Sequence, residues 1–199
     1  MATTAAPVSR RALQARSIAE AFRITAEDFP DRVAVRTKDD GVSITWDELR
    51  RRVARDISTG AVWKYLDNGS DQGGVWTTLA FNDSAWTNGP AQLGYGDGDE
   101  RTVVSFRPNS SAKYITTYFR RAFTLTYPGS FSSLNLRLLR DDGAVVYLNG
   151  SEVYRNNMPG GAIGYQTSAL GAVPDENTWY SSPVNPGYLV PGTNVLAVE

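Results

Sequence analysis

Hydrophobic and polar positions follow two different periods along the chain. Near the N-terminus a group of apolar residues is spaced by three or four positions and therefore shares one helical face. These residues are Trp46, Leu49, Val53 and Ile57. Later the apolar residues recur at every second position, which is the period of a half-buried strand, as they do from Leu134 to Leu138. The chain is therefore predicted to change architecture near Ile57.

The segment 17–57 is predicted to form a helix, a hairpin and a second helix. Helical spacing of apolar residues comes first, and two short alternating runs then flank a turn that ends at Gly41. Thr45 and Glu48 have the spacing of a capping box that begins the second helix. Residues 1–16 are predicted to be a disordered tail.

Composition changes at the same place as the period. Four of the five tryptophans and all but one of the 18 glycines follow residue 57. Asn149-Gly150 between two alternating runs is a strong hairpin signal. Short strands with Gly, Pro and Asn turns predict an antiparallel β-sandwich over 58–199, so the fold class is mainly β with a small N-terminal α+β segment.

The chain contains no Cys and no His, and its formal net charge is -1. These absences exclude a disulfide, a thiolate nucleophile, a Ser-His-Asp arrangement and any Cys- or His-bound metal. The charge gives no reason to expect a nucleic-acid partner. No stretch approaches the roughly 20 apolar residues of a membrane span, and no signal peptide is recognisable, which leaves the localisation open.

The first segment carries motifs in a specific order. They are Ile18-Ala-Glu-Ala-Phe22, Pro30-Asp-Arg-Val-Ala-Val35 and Ile44-Thr-Trp-Asp-Glu-Leu-Arg50. In this order they resemble the extreme N-terminus of AMP-forming acyl-CoA synthetases, over residues 17–56. The phosphate loop, the adenine motif, the ribose-binding Asp and the catalytic Lys of that family have no counterparts here. The resemblance implies a truncated relic without ligase activity.

The second segment carries a longer set of motifs. They are Trp63–Gly73, Phe81–Trp86, Gln92–Gly96, Tyr118–Arg121 and Arg140–Gly150. Together they resemble a galactose-binding-like jelly roll, a module that large secreted bacterial proteins use as a non-catalytic accessory. The resemblance implies a β-sandwich, carbohydrate binding and an exported protein. A neighbouring protein domain is the alternative partner.

The end of the sequence also bears on the fold. Thr193–Glu199 resembles a strand that in the jelly-roll family is followed by a further closing strand. The sandwich is therefore expected to lack that strand and to present an open sheet edge. Unpaired N–H and C=O groups at an edge favour pairing with another chain, so we expect either marginal stability or self-association through that edge.

Three residues are the candidates for carbohydrate binding. Trp179 lies in a loop-like stretch, where its indole would be free to stack on a sugar ring. Tyr95 and Asp142 lie within two of the jelly-roll motifs. Trp63 and Trp86 are interpreted as core residues instead, because most tryptophans in a small sandwich pack inside or at the rim.

Acidic residues provide the other candidate sites. Asp97, Asp99 and Glu100 offer hard oxygen ligands that suit Ca²⁺, and the alternative is a solvated acidic loop. Asp141 and Asp142 could serve as an acid/base pair, but adjacent residues in a turn usually point apart, and Asp-Gly is ordinary turn chemistry. We therefore expect no catalytic residue and no cofactor other than a candidate Ca²⁺.

Strand geometry gives one further expectation. Arg120 and Arg121 are adjacent in a predicted strand, so one of them points to each face of the sheet. One is expected to be buried and paired with Asp83 or Asp142.

The sequence thus predicts a non-catalytic binding or accessory module. The alternatives are an inactive remnant of an acyl-CoA synthetase and a chimeric fusion without a selected function. A difference of compartment favours the fusion, because synthetases use cytoplasmic ATP and CoA whereas the jelly-roll family is exported.

Overall fold

The computed structural model describes residues 9–36, 43–46, 57–109, 111–125, 128–174 and 177–199, without the side chains of residues 19, 35, 36 and 130. The chain divides into two compact units, Met1–Asp56 and Ile57–Glu199, named here the N-terminal unit and the sandwich unit. The predicted helix from Trp46 to Ile57 and the turn at Gly41 fall on residues that lie almost entirely outside the described ones.

The N-terminal unit contains a helix and a hairpin in its described part. Helix α1 spans Ile18–Asp28, and the Ser17 side chain caps it by accepting the Glu20 N–H at 3.1 Å. Strands β1 (Val33–Arg36) and β2 (Ser43–Thr45) pair antiparallel. The predicted first helix and hairpin are therefore present.

The prediction of a disordered tail over 1–16 is wrong for residues 9–16. A 3-10 turn spans Ala12–Gln14, and Ser9 is 2% exposed. The Ser9 hydroxyl donates to Asp28, and the Arg11 guanidinium pairs with the same carboxylate at 2.6 Å. These two contacts tie the segment to the end of α1.

The sandwich unit contains ten strands in its described part. They are β3 (Val62–Leu66), β4 (Thr87–Pro90), β5 (Leu93–Gly94), β6 (Thr102–Val103), β7 (Tyr118–Leu125), β8 (Leu134–Leu138), β9 (Ala144–Leu148), β10 (Ser151–Asn156), β11 (Tyr180–Val184) and β12 (Gly192–Val198). Short 3-10 turns cover Val75–Thr77, Pro128–Ser130 and Pro186–Tyr188.

Six of these strands form one antiparallel sheet in the order β10-β9-β12-β7-β3-β4. Strands β8 and β11 form a separate antiparallel pair, and β5 and β6 form a short parallel one. The unit is mainly β and antiparallel, which confirms the predicted fold class.

The six-stranded sheet is covered on both faces. One face packs on an aromatic cluster, whose buried members are Trp76, Trp86, Tyr118, Val195 and Ala197. The other face packs on β8 and β11 through Leu125, Leu148, Val184 and Leu189. Val145 and Val146 are both 0% exposed, which is what a strand between two layers requires.

The last strand, β12, does not supply the open edge that was expected from a missing closing strand. β12 pairs with β7 on one side and with β9 on the other, so it lies inside the sheet. Beyond the strand, the N–H and C=O of Glu199 pair with Val145 at 3.1 and 2.8 Å. The backbone groups of β12 are therefore paired, and self-association through another edge of the sheet stays a prediction.

Buried amides fix the start of β12. Asn194 is 0% exposed, accepts N–H groups from Val190 and Asn149, and donates to two backbone carbonyls, all at 2.8–3.1 Å. Asn149 completes the network by accepting the Val195 N–H at 2.8 Å. A buried amide with every group satisfied specifies one arrangement of the chain.

The described part of the chain holds no helix with the length and the apolarity that crossing a bilayer requires.

Candidate functional site

Strands β8 and β11 present an exposed side to the solvent. On β8 the leucines point to the core, and Asn135 and Arg137 point away from it. The register places Arg137 opposite Ser181 and Asn135 opposite Pro183. We name this side the outer face, consisting of Asn135, Arg137, Trp179, Ser181 and Pro183.

Trp179 extends the outer face by one pair position. It precedes β11 by one residue and lies two residues from Ser181, so it points to the same side. Its indole is 44% exposed, and the Arg137 guanidinium carbon lies 4.9 Å from the ring centroid. Diagonal neighbours on paired strands are about 7–8 Å apart, which a long arginine side chain can bridge. The cation–π contact holds both groups in place on an otherwise open surface.

Tyr95 and Asp142 lie at a different place, near each other. The Tyr95 ring packs on Phe106 at 4.6 Å between centroids, and the Lys113 ammonium lies 4.6 Å from the Tyr95 centroid. Burial raises the pKa of Tyr95, and the charges of Asp141 and Asp142 add to this rise. The two predicted sugar-binding residues are thus neighbours, and one face of the tyrosine ring is covered by Lys113.

The carboxylates of this corner are largely engaged in holding the chain. Asp142 accepts the Val173 N–H at 3.1 Å, and its carbonyl accepts the Asn157 side-chain amide at 3.0 Å. Burial and the neighbouring carboxylate of Asp142 raise the pKa of Asp141, while Lys113 opposes the rise. The contacts of Asp142 stabilise the loop that follows β10.

The predicted calcium ligands converge. Carboxylate oxygens of Asp97, Asp99 and Glu100 all lie within 4.8 Å of one another. Opposite ligands of one Ca²⁺ are also about 4.8 Å apart, since each bond is about 2.4 Å. The N–H groups of Asp97 and Gly98 bond to Glu100 and hold the pKa of that carboxylate below its usual value. The same bonds organise this loop without any ion, so the calcium site stays a prediction.

Calcium binding can be tested directly by calorimetric titration of the chain. The prediction requires a binding isotherm with a dissociation constant of about 10⁻⁴–10⁻³ M, typical of exposed extracellular sites. Asp99→Asn removes one charged ligand and is expected to weaken it severalfold, whereas Asp31→Asn, in the N-terminal unit, leaves it unchanged. If the two variants give equal isotherms, or if the wild type gives no binding heat, the three residues form an ordinary acidic loop and the calcium prediction is wrong.

Arg120 is the buried member of the predicted arginine pair, and its partner is Asp83. Arg120 is 2% exposed, and its Nε donates to Asp83 at 2.9 Å. Lys64 contacts the other carboxylate oxygen at 2.9 Å. The remaining guanidinium donors reach the carbonyls of Trp76 and Thr78. This set is fully engaged and therefore structural, which confirms the pairing expected from the strand geometry.

Sequence reasoning identified Trp179 but missed the rest of the outer face. Asn135 and Arg137 are the polar positions of an alternating pattern. Such a pattern predicts that they are exposed, but it does not predict that they bind a ligand. Ser181 became relevant only when the register with β8 was known. Of the two core tryptophans, Trp86 is 6% exposed and Trp63 is half-buried.

No protein-family model and no curated protein matches the chain. Solved structures similar to it include β-glucuronidase 2 of Bacteroides uniformis, with 22% identity, 72% of this chain and 14% of that chain covered, and a TM-score of 0.45. A β-glucuronidase of glycoside hydrolase family 2 has 17% identity, coverage of 70% and 13%, and a TM-score of 0.47. The β-glucuronidase of Lactobacillus rhamnosus has 15% identity, coverage of 73% and 22%, and a TM-score of 0.42.

This chain spans less than a quarter of each of these proteins. At such identities and TM-scores the likeness does not establish a function for it. The comparisons lend no support to the resemblance between residues 17–56 and acyl-CoA synthetases, or to the interpretation as a fusion.

Proposed function

We propose that the sandwich unit is a non-catalytic carbohydrate-binding module whose ligand lies along the outer face. The observation that carries this proposal is the exposed indole of Trp179, which contacts Arg137 beside the paired strands β8 and β11. A large aromatic side chain is normally buried in a small sandwich, where it contributes most to stability. One that is fixed in place and left in solvent is suited to contact a ligand.

The chemistry of the outer face matches a sugar. The C–H face of a pyranose ring is apolar and packs well on an exposed indole. Hydroxyl groups need donors and acceptors around it, and Asn135, Arg137 and Ser181 supply both kinds. From Trp179 to Pro183 the face runs over five residues, roughly 14 Å at about 3.4 Å per residue, which is long enough for a short oligosaccharide.

The non-catalytic part of the proposal rests on how the acidic residues are used. Glycoside hydrolysis needs two carboxyl groups on opposite sides of the scissile bond. Asp141 and Asp142 are adjacent in one turn, and Asp142 is bonded to Val173 and Asn157. Asp83 is clamped by Arg120 and Lys64. The carboxylates of Asp142 and Asp83 are thus held by Val173 and by the two cations, and the carboxyl group beside Asp141 is that of Asp142 in the same turn, rather than one placed across a bond from it.

Glycan-array screening followed by calorimetry tests the proposal. Trp179→Ala is expected to weaken binding about tenfold, because a stacking contact of about 1.4 kcal/mol is lost. Tyr188→Ala is the matched control, because Tyr188 is similarly exposed at 40% but lies outside the outer face. No wild-type binding at millimolar glycan, or equal losses in both variants, would refute it.

A further inference from the structure

We infer that the outer face selects carbohydrates that carry a carboxylate, and that Arg137 is the residue that recognises this group. This inference rests on the proposed function of the same face. It concerns specificity, which the stacking of Trp179 alone does not set, because every pyranose ring offers an apolar C–H face.

The first step of the argument is the state of the Arg137 guanidinium. In the described part of the sandwich unit, the ion pairs join Asp83 to Lys64 and Arg120, and Glu152 to Arg155. Arg137 is in none of them, and its neighbours on the outer face are neutral. An arginine in a protein is always protonated. The face therefore presents one positive charge that no described carboxylate within 4 Å neutralises.

The second step is the fixed position of this charge. Arg137 contacts the Trp179 ring and is anchored at its Cα by the pairing of β8 with β11. A guanidinium that lies on an aromatic ring keeps its N–H donors at the edge, where they can form two parallel bonds to a carboxylate. Less side-chain freedom is lost when such a group binds, which favours affinity.

The third step is the match with the ligand. The carboxylate of a hexuronic acid projects from the rim of the same ring that packs on the indole. Arg137 covers one face of the indole, so the sugar packs on the opposite face and its acid group meets the Arg137 donors at the edge of the ring. A neutral hexose puts a hydroxymethyl group there, which accepts a weaker hydrogen bond from the cation than a carboxylate does.

The experiment compares two probes with one skeleton, trigalacturonate and its fully methyl-esterified form. The wild type is expected to bind the acid more tightly, and the preference should shrink as salt is raised. Arg137→Gln should weaken binding of the acid about tenfold or more and leave the ester almost unchanged. Arg137→Lys keeps the charge without the two parallel donors, so its affinity for the acid should lie between those of the wild type and Arg137→Gln. Arg101→Gln, at another exposed arginine of the unit, is the matched control.

The outcomes separate this inference from the proposed function. If both probes bind equally, and their binding depends on Trp179 but not on Arg137, the proposed carbohydrate binding is supported and the inference of acid recognition is wrong. If neither probe binds, or if Arg101→Gln has the same effect as Arg137→Gln, the inference is overturned. Thermal melting of each variant confirms that the exposed substitutions leave the fold intact.

Discussion

Asp83→Ala is expected to lower the free energy of unfolding by about 3–5 kcal/mol. The substitution leaves the guanidinium of Arg120, which is 2% exposed, without its carboxylate. The carbonyls of Trp76 and Thr78 still accept from it, but they do not neutralise the charge. A buried cation without a counter-ion is costly because it has lost its hydration.

Urea unfolding at neutral pH measures this loss. The control is Glu152→Gln, which breaks the ion pair with the Arg155 guanidinium at the edge of the sheet. That pair is partly exposed on both sides, so the loss should be about 1 kcal/mol or less. Equal losses in the two variants would mean that Asp83 does not stabilise a buried charge.

The same carboxylate gives stability a defined pH dependence. Burial favours protonation of Asp83, but the hydrogen bonds from Arg120 and Lys64 outweigh it and lower its pKa. A folded-state pKa below the unfolded value stabilises the protein at neutral pH, and the stabilisation disappears as pH falls through the folded pKa. The stability gap between the wild type and Asp83→Asn should therefore be full at pH 7 and shrink below about pH 4. A gap of the same size at pH 3 would contradict this assignment.

Local patterns predicted the strands but not their order. The alternation around Leu134–Leu138 and the Asn149-Gly150 turn each depend on neighbouring residues, and both are present as predicted. The position of β12 depends on pairing with β7 and β9, which lie far away along the chain. Its place inside the sheet could not be predicted from the sequence, because periodicity says nothing about which strands pair.

The candidate site shows the same division. Strand geometry predicted that one of Arg120 and Arg121 is buried, and left Asp83 and Asp142 as alternative partners for it. The structure selects Asp83, which is 37 residues away from Arg120. Likewise, the exposure of Trp179 follows from the register that sets it beside Arg137. A sequence can mark such residues as unusual, but only tertiary contacts determine which of them meet.

Trp76→Ala is expected to be as damaging as the loss of Asp83, at about 3–5 kcal/mol. Trp76 is 2% exposed and lies at the centre of the aromatic cluster. Its ring meets those of Tyr118 and Tyr147 edge-on, with centroids 4.8 and 5.7 Å away. Removal of the indole leaves a cavity under the middle of the six-stranded sheet, which packed neighbours can fill only in part.

Trp179→Ala makes the same chemical change at the exposed indole and supplies the comparison. Its expected cost in stability is smaller, about 1–2 kcal/mol, because 44% of the indole remains in water and its removal leaves no closed cavity. The two variants should therefore differ: Trp76→Ala lowers the midpoint of urea unfolding strongly, and Trp179→Ala lowers it much less but weakens glycan binding. If Trp179→Ala instead lowered stability as much as Trp76→Ala, Trp179 would be a packing residue. The proposal that the outer face binds a ligand would then be contradicted.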